Sequence, residues 1–221
     1  MLNAIERTLE AALTYCRRIG QIAIQKLDGG GFALSHCDDE GRDDLKLFRS
    51  AEDAIELSKF DDAGNYRPLK TAPNLRHGWR LDLATLGELK RGLDYFYPGR
   101  LVVFAAWKNG QLRTTPLRET LDRQSGMYRV AAKISDEQID NVVGNFCRAD
   151  DGCLRTILWK RDRRGMIPST RLPPEKFDPA YDQTGPSKQV IPLLCQESCN
   201  LLVAECRKVV KMEGAVPSEP K

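Results

Sequence analysis

The stretch FCRADDGCLRTILW (Phe146–Trp159) carries Cys147 and Cys153 as a C-x5-C pair, and PLLCQESCNLLVAEC (Pro192–Cys206) carries Cys195 and Cys199 as a C-x3-C pair. Two close thiol pairs separated by a long connection can build a four-thiolate metal site from two short segments. A structural zinc and a [4Fe–4S] cluster both take four such ligands. The C-x3-C spacing suits zinc, while C-x5-C is wider than zinc sites usually use. A cubane spreads its irons over a larger body and tolerates wide, uneven spacings. Spacing alone therefore leaves an iron–sulfur cluster, a zinc and a set of reduced structural thiols all open.

Cys206 is a tempting fifth ligand because it lies close to the angular position of Cys195 on a continuous helix. At 1.5 Å of rise per residue it nevertheless sits on the order of 10 Å along the axis from Cys199. A helix-packing role suits it better. Residues i and i+4 share one helical face, so the reading has Cys195 and Cys199 converge at the start of a final helix over residues 196–212.

The elements leading to the first pair are legible. Ser135, with Gln138 three residues on, makes a capping box. The helix it opens presents Ile139, Val142, Val143 and Phe146 on one face and ends at Cys147. Gly152 is expected to take positive φ just before Cys153. Leu154, Ile157, Leu158 and Trp159 read as a short buried helix behind the ligand. Residues 165–189 hold five prolines and read as mostly irregular.

Upstream, apolar positions at Leu2, Ile5, Leu9, Leu13 and Cys16 predict an amphipathic helix over residues 2–18, with Cys16 in the core. Residues 21–27 and 32–37 flank Asp28-Gly29-Gly30-Gly31 and predict a β-hairpin. His36 and Cys37 invite a metal reading, but adjacent strand residues point to opposite faces. His77 has no partner at ligand spacing. Further strands are expected at 45–48, 66–69 and 78–83, and helices at 51–59, 86–95 and 100–108, with Pro98 opening the last. Asn109-Gly110 marks a boundary. Thr115 is read as the N-cap of a helix over 117–124.

These readings give an α+β protein. A mixed α/β part with a hairpin spans residues 1–110, a mainly helical four-cysteine domain spans 111–212, and a disordered tail follows over 213–221. The chain has 221 residues, 41% hydrophobic and 29% charged, enough for a real core. Its net charge of +3 does not suggest a general polyanion binder. Seven cysteines, an odd number, argue against a disulfide framework. The N-terminus lacks the apolar run of a signal peptide, and the stretch Leu101–Trp107 is too short to cross a bilayer. A soluble cytoplasmic protein is expected, with no membrane partner.

Enzyme signatures are sparse. There is no phosphate loop, no Ser-His-Asp set and no radical-type C-x3-C-x2-C. Asp150 and Asp151 beside Cys153 could form an acid/base pair, although an exposed turn explains them as well.

Two further elements, Tyr97-Pro98 and RQSGMYR (Arg123–Arg129), join the cysteine stretches C-x5-C-L-R-x-x-L-W (Cys147–Trp159) and LCQESCNLLVA (Leu194–Ala204). Together they resemble the [4Fe–4S]-binding domain and preceding stabilising domain associated with CbiX-type sirohydrochlorin cobaltochelatases. The resemblance implies that Cys147, Cys153, Cys195 and Cys199 ligate the cluster. It also implies an accessory role, by electron transfer or partner stabilisation, in cobalamin or tetrapyrrole metal chelation. The chelatase half would bring metal-binding histidines, and this chain has only His36 and His77. Chelatase activity is therefore not implied, and the expected partner is a CbiX-type chelatase or a redox protein. Arg148, Arg155, Lys160, Arg161, Arg163 and Arg164 could raise the cluster's potential or receive an anionic partner. The alternative is a zinc-stabilised module binding nucleic acid or protein, weakened for nucleic acid by the low net charge.

Overall fold

The computed structural model describes residues 2–149, 152–165 and 189–213. Asp150 and Asp151, read as an exposed turn or an acid/base pair, lie outside the described residues, as do most of the proline-rich connection and the tail beyond residue 213. The chain groups into two compact units. One holds residues 1–112, 154–156 and 178–194, and the other holds 113–153, 157–177 and 195–221.

In the first unit, α1 (Ala4–Ala12) starts at Asn3, whose side chain accepts from the Glu6 amide while Glu6 reaches back to the Asn3 amide. This helix is shorter than its apolar periodicity predicts. The chain turns after Ala12, yet Leu13 and Cys16 still enter the core, each 2% exposed. Next come β1 (Arg18–Ile19), β2 (Ile22–Lys26) and β3 (Phe32–His36). Strands β2 and β3 form the expected antiparallel hairpin, with Gly30 and Gly31 at positive φ in its turn.

β4 (Lys46–Phe48), α2 (Asp53–Lys59) and β5 (Trp79–Leu83) follow. In β5, Trp79, Leu81 and Leu83 are buried, and Arg80 and Asp82 between them are half-buried, as a two-residue period requires. The strand expected at 66–69 reduces to a single bridge between Phe60 and Tyr66. Arg67 turns inward instead, 1% exposed, and donates to the carbonyls of Ser58, Lys70 and Ala72 and to Asn74 Oδ1. A buried guanidinium satisfied mostly by loop carbonyls replaces strand pairing as the organiser of residues 58–74.

α3 (Leu86–Phe96) is capped by a Thr85–Glu88 box, and α4 (Arg100–Lys108) forms the helix expected at 100–108. Its N-cap is Gly99 at φ 72°, so Pro98 stands ahead of the helix and does not open it. Including β7 (Val190–Ile191), the sheet order is β4-β5-β3-β2-β1-β7. The β4–β5 and β1–β7 pairs are parallel and the rest antiparallel. Ile22, Ile24, Leu34, Leu81 and Leu83 join Leu9, Leu89, Leu93 and Phe104 from the helices in one core.

In the second unit, α5 (Leu117–Asp122) has Pro116 as its N-cap. Thr115 does not cap; its amide donates to the Gln196 carbonyl. A 3-10 segment spans Gly126–Lys133, and α6 (Asp136–Cys147) carries the predicted Ser135–Gln138 capping box. α7 (Asn200–Glu213) completes the unit. Its core gathers Leu117, Leu121, Ile139, Val143, Trp159, Leu202 and Val203 with Cys147, Cys195 and Cys206. The fold is α+β. Among the described residues, no helix is long and apolar enough to cross a membrane.

Candidate metal centre

All four predicted ligands belong to the second unit. Cys147 closes α6, as expected, and its helix is anchored through buried Ile139, Val142 and Val143. The three other positions are reached differently from the prediction. Residues 154–159 do not form a helix; Thr156–Ile157 is a short strand, β6, paired with β8 (Leu194–Cys195). The apolar run Leu154–Trp159 contains Thr156 and Ile157, whose branched Cβ atoms favour the extended form.

Cys195 therefore sits in a strand, its carbonyl accepting from the Leu158 amide at 2.9 Å. Cys199 lies one residue ahead of α7, and its carbonyl accepts from Val203 at 3.1 Å, in the helical pattern. The C-x3-C pair is thus a strand end and a helix start, and the two residues do not lie on one helical face.

Gly152 does not take positive φ, since it is absent from the glycines with that geometry. Its reason is space. A Cβ there would stand 2.8 Å from the Ala149 carbonyl oxygen and 3.1 Å from the Cys147 carbonyl carbon. The turn between Cys147 and Cys153 folds too tightly for any side chain at that position.

Cys147 and Cys195 are buried, at 8% and 4% exposure, while Cys153 and Cys199 are half-buried. Arg148 follows Cys147 directly. Burial pushes its guanidinium below the ordinary value, and negative charge on Cys147, Cys195 and Cys153 pulls it back up. A cation held among thiols compensates the charge that four thiolates would bring. The Trp159 indole N–H donates to Cys195 Sγ at 3.2 Å, and Cys195 Sγ lies 3.2 Å from the Glu197 carbonyl. The soft thiol set, the buried cation and the N–H donor aimed at sulfur together suit an anionic metal–thiolate centre.

Cys206 is fully buried in the same core. Burial pushes its thiol up to about 11, so it resists the thiolate form a ligand needs. Cys16 is likewise raised by burial.

The predicted cations divide by role. Arg161 is 7% exposed and pairs with Asp140 at 3.1 Å and Asp136 at 3.6 Å, tying itself to the first turns of α6. Lys160, Arg163 and Arg164 are exposed and Arg155 is half-buried. Arg163 and Arg164 line a groove of about 420 Å³ with Arg118, but Glu119, Asp122 and Asp162 line it too.

A second cluster was not legible as such. His36 and Cys37 were expected on opposite faces, yet β3 ends at His36 and a 3-10 turn, Cys37–Asp39, follows. The possible ligand atoms of His36, Cys37 and Asp38 consequently lie within 4.8 Å of one another. Tertiary folding also lays the His77 ring 3.8 Å from the His36 ring, with His77 Nδ1 3.6 Å from Asp39. The chemistry disfavours a metal. His36 Nδ1 already accepts from the Asp38 amide at 3.2 Å, which places the ring proton on Nε2. Burial holds the Cys37 thiol above its ordinary value.

Residues 109–208 match the 4Fe-4S iron-sulfur cluster binding domain, and residues 6–109 match the DR2241 stabilising domain. Among solved structures, the chain is similar to DR2241 from Deinococcus radiodurans, with a TM-score of 0.72 and 28% identity over 95% of this chain. That protein is described as multi-domain, with structural similarity to chelatases and two additional novel domains. The present chain spans 42% of its length. No curated protein matches the chain.

Proposed function

We infer that this chain, which belongs to the DR2241 stabilising-domain family over residues 6–109 and to the 4Fe-4S cluster-binding domain family over residues 109–208, works as an iron–sulfur accessory module to a chelatase-type partner. Its cofactor is a [4Fe–4S] cluster. We assign Cys147, Cys153, Cys195 and Cys199 as the ligands. The observation that carries this reading is that Cys147 and Cys195 enter one core of the second unit, with Cys199 packed against it and the half-buried Arg148 directly after Cys147.

Bound there, a thiolate-ligated cluster supplies a one-electron couple. The protein's own residues set its surroundings. Arg148 offsets negative charge, the buried Cys147 and Cys195 keep water from their side of the cluster, and the half-buried Cys153 and Cys199 leave it within reach of a partner. Electron transfer to the partner, or stabilisation of it, serves the insertion of a metal into a tetrapyrrole, as in cobalamin synthesis. The exposed Lys160, Arg163 and Arg164, with Arg155, offer contact to an anionic partner or a carboxylate-rich ligand. Arg161, committed to Asp136 and Asp140, shapes that segment and does not present its charge.

Anaerobic purification followed by iron and sulfide analysis tests the assignment. About four irons per chain are expected. Serine at Cys147, Cys153, Cys195 or Cys199 is expected to remove the iron, and serine at Cys16, Cys37 or Cys206 to leave it. A colourless protein carrying one zinc, or full iron in Cys153→Ser, would overturn the reading. Co-purification with a chelatase tests the partner.

A further inference from the structure

We propose that Trp159 sets the reduction potential of the metal centre by donating its indole N–H to Cys195 Sγ. The inference rests on the ligand assignment above. It starts from a geometric fact: Nε1 stands 3.2 Å from Cys195 Sγ, with Trp159 fully buried and Cys195 4% exposed.

A buried indole N–H needs an acceptor. A neutral thiol is a weak one, and a thiolate carrying charge is a strong one. The sequence could have placed a phenylalanine here if only a buried ring were required. The tryptophan adds one donor, and that donor reaches a ligand sulfur.

The backbone holds the pair in register. Leu158, the residue before Trp159, donates its amide to the Cys195 carbonyl at 2.9 Å. Sulfur and indole are therefore fixed from both sides of the same pairing. Another polar neighbour of Cys195 Sγ is the Glu197 carbonyl at 3.2 Å, an acceptor that a thiol S–H can satisfy but a thiolate cannot. Once Cys195 loses its proton to metal, the indole becomes the favourable polar contact of the two.

Reduction adds one electron and no proton to an iron–thiolate centre, and no bond is made or broken. The electron comes from an external one-electron donor, dithionite in the experiment below. Negative charge on the ligand sulfurs rises, and a fixed N–H donor stabilises the more negative state more than the less negative one. Hydrogen bonds to sulfur therefore raise the potential. Because water is largely excluded from Cys195, little solvent screening weakens this effect.

The test replaces Trp159 by phenylalanine and, separately, by β-(3-benzothienyl)alanine, in which sulfur stands where the indole has N–H and the bicyclic shape is kept. Each protein is assayed for iron per chain, then titrated with dithionite while EPR reports the reduced centre. Iron content equal to the parent with a more negative midpoint potential in both variants is the expected result. Resonance Raman of the Fe–S stretches should also shift, since the bond to Cys195 changes. An unchanged potential in the iron-replete benzothienyl variant overturns the proposal. So does loss of iron in that variant, because the N–H would then be needed for assembly and not for tuning. Absence of iron in the parent protein would instead sink the ligand assignment itself.

Discussion

The Tyr97 hydroxyl accepts the backbone N–H of Gln21 at 2.9 Å, across seventy-six residues, with Tyr97 only 1% exposed. Burial pushes this phenol up to about 12, while the Gln21 amide and Arg67 pull it down. A phenol whose folded value lies above its unfolded value of roughly 10 contributes stability at pH below about 10. That contribution is lost as pH rises from about 10 towards 12. Tyr97→Phe should leave a buried amide without its partner, costing about 1–3 kcal/mol at neutral pH. Denaturant melts from pH 8 to 11 should show the gap between parent and variant narrowing on the alkaline side. A constant gap would mean that the phenol does not titrate in the folded protein.

Asp39 gives the opposite pH signature. Burial alone would raise its carboxyl, but the Gly78 amide at 2.7 Å and Arg42 at 2.8 Å donate to it, and His77 adds positive charge. The net effect holds it below the usual carboxylate range. A depressed carboxylate stabilises the fold above its unfolded value and ceases to do so as pH falls through the folded one. Asp39→Asn should therefore destabilise the protein at pH 7 and flatten its loss of stability below about pH 4. Thermal melts between pH 3 and 7 measure both effects.

Arg67 is the polar post of the loop over residues 58–74. Leucine in its place would strand the carbonyls of Ser58, Lys70 and Ala72, along with Asn74 Oδ1. The expected cost is on the order of 3 kcal/mol or more, with lysine recovering part of it. Proteolysis of this loop should accelerate in Arg67→Leu while iron content is kept. Equal protease resistance in the two proteins would show that the loop is held by other contacts.

Gly152→Ala separates space from flexibility. The new methyl meets backbone at 2.8 and 3.1 Å, so the Cys147–Cys153 turn must open. Iron retention after desalting should fall several-fold, without loss of helical circular dichroism. Full iron in Gly152→Ala would show that the turn has slack.

The helices were legible where a cap and an apolar period coincide. Ser135 with Gln138 announced α6 and its end at Cys147, and the apolar period of Leu86, Leu89 and Leu93 announced α3. The Trp79-Leu81-Leu83 alternation announced β5. Legibility failed where a short apolar run had to choose its conformation. Within Leu154–Trp159, Thr156–Ile157 became a strand because residues 194–195, some forty positions away, supply its hydrogen-bond partner. Such a ladder has no local signature. The strand expected at 66–69 failed for the same reason, and the stacking of His77 on His36 had no local signature, since a buried cation or a stacked imidazole declares itself only through distant neighbours.

The cysteine spacings and their flanking motifs were enough to nominate Cys147, Cys153, Cys195 and Cys199 as ligand candidates, because ligand type and sequence separation are properties of the chain itself. The same residues could not tell that Cys147 and Cys195 would be buried and Cys153 and Cys199 half-buried, nor that Gly152 is required by crowding. Nor could they tell that Trp159 would point its N–H at Cys195. Those relations depend on distances between atoms that the chain brings together only by folding. Burial and hydrogen-bond direction, which govern the charge a sulfur can carry, were decided by the tertiary structure alone.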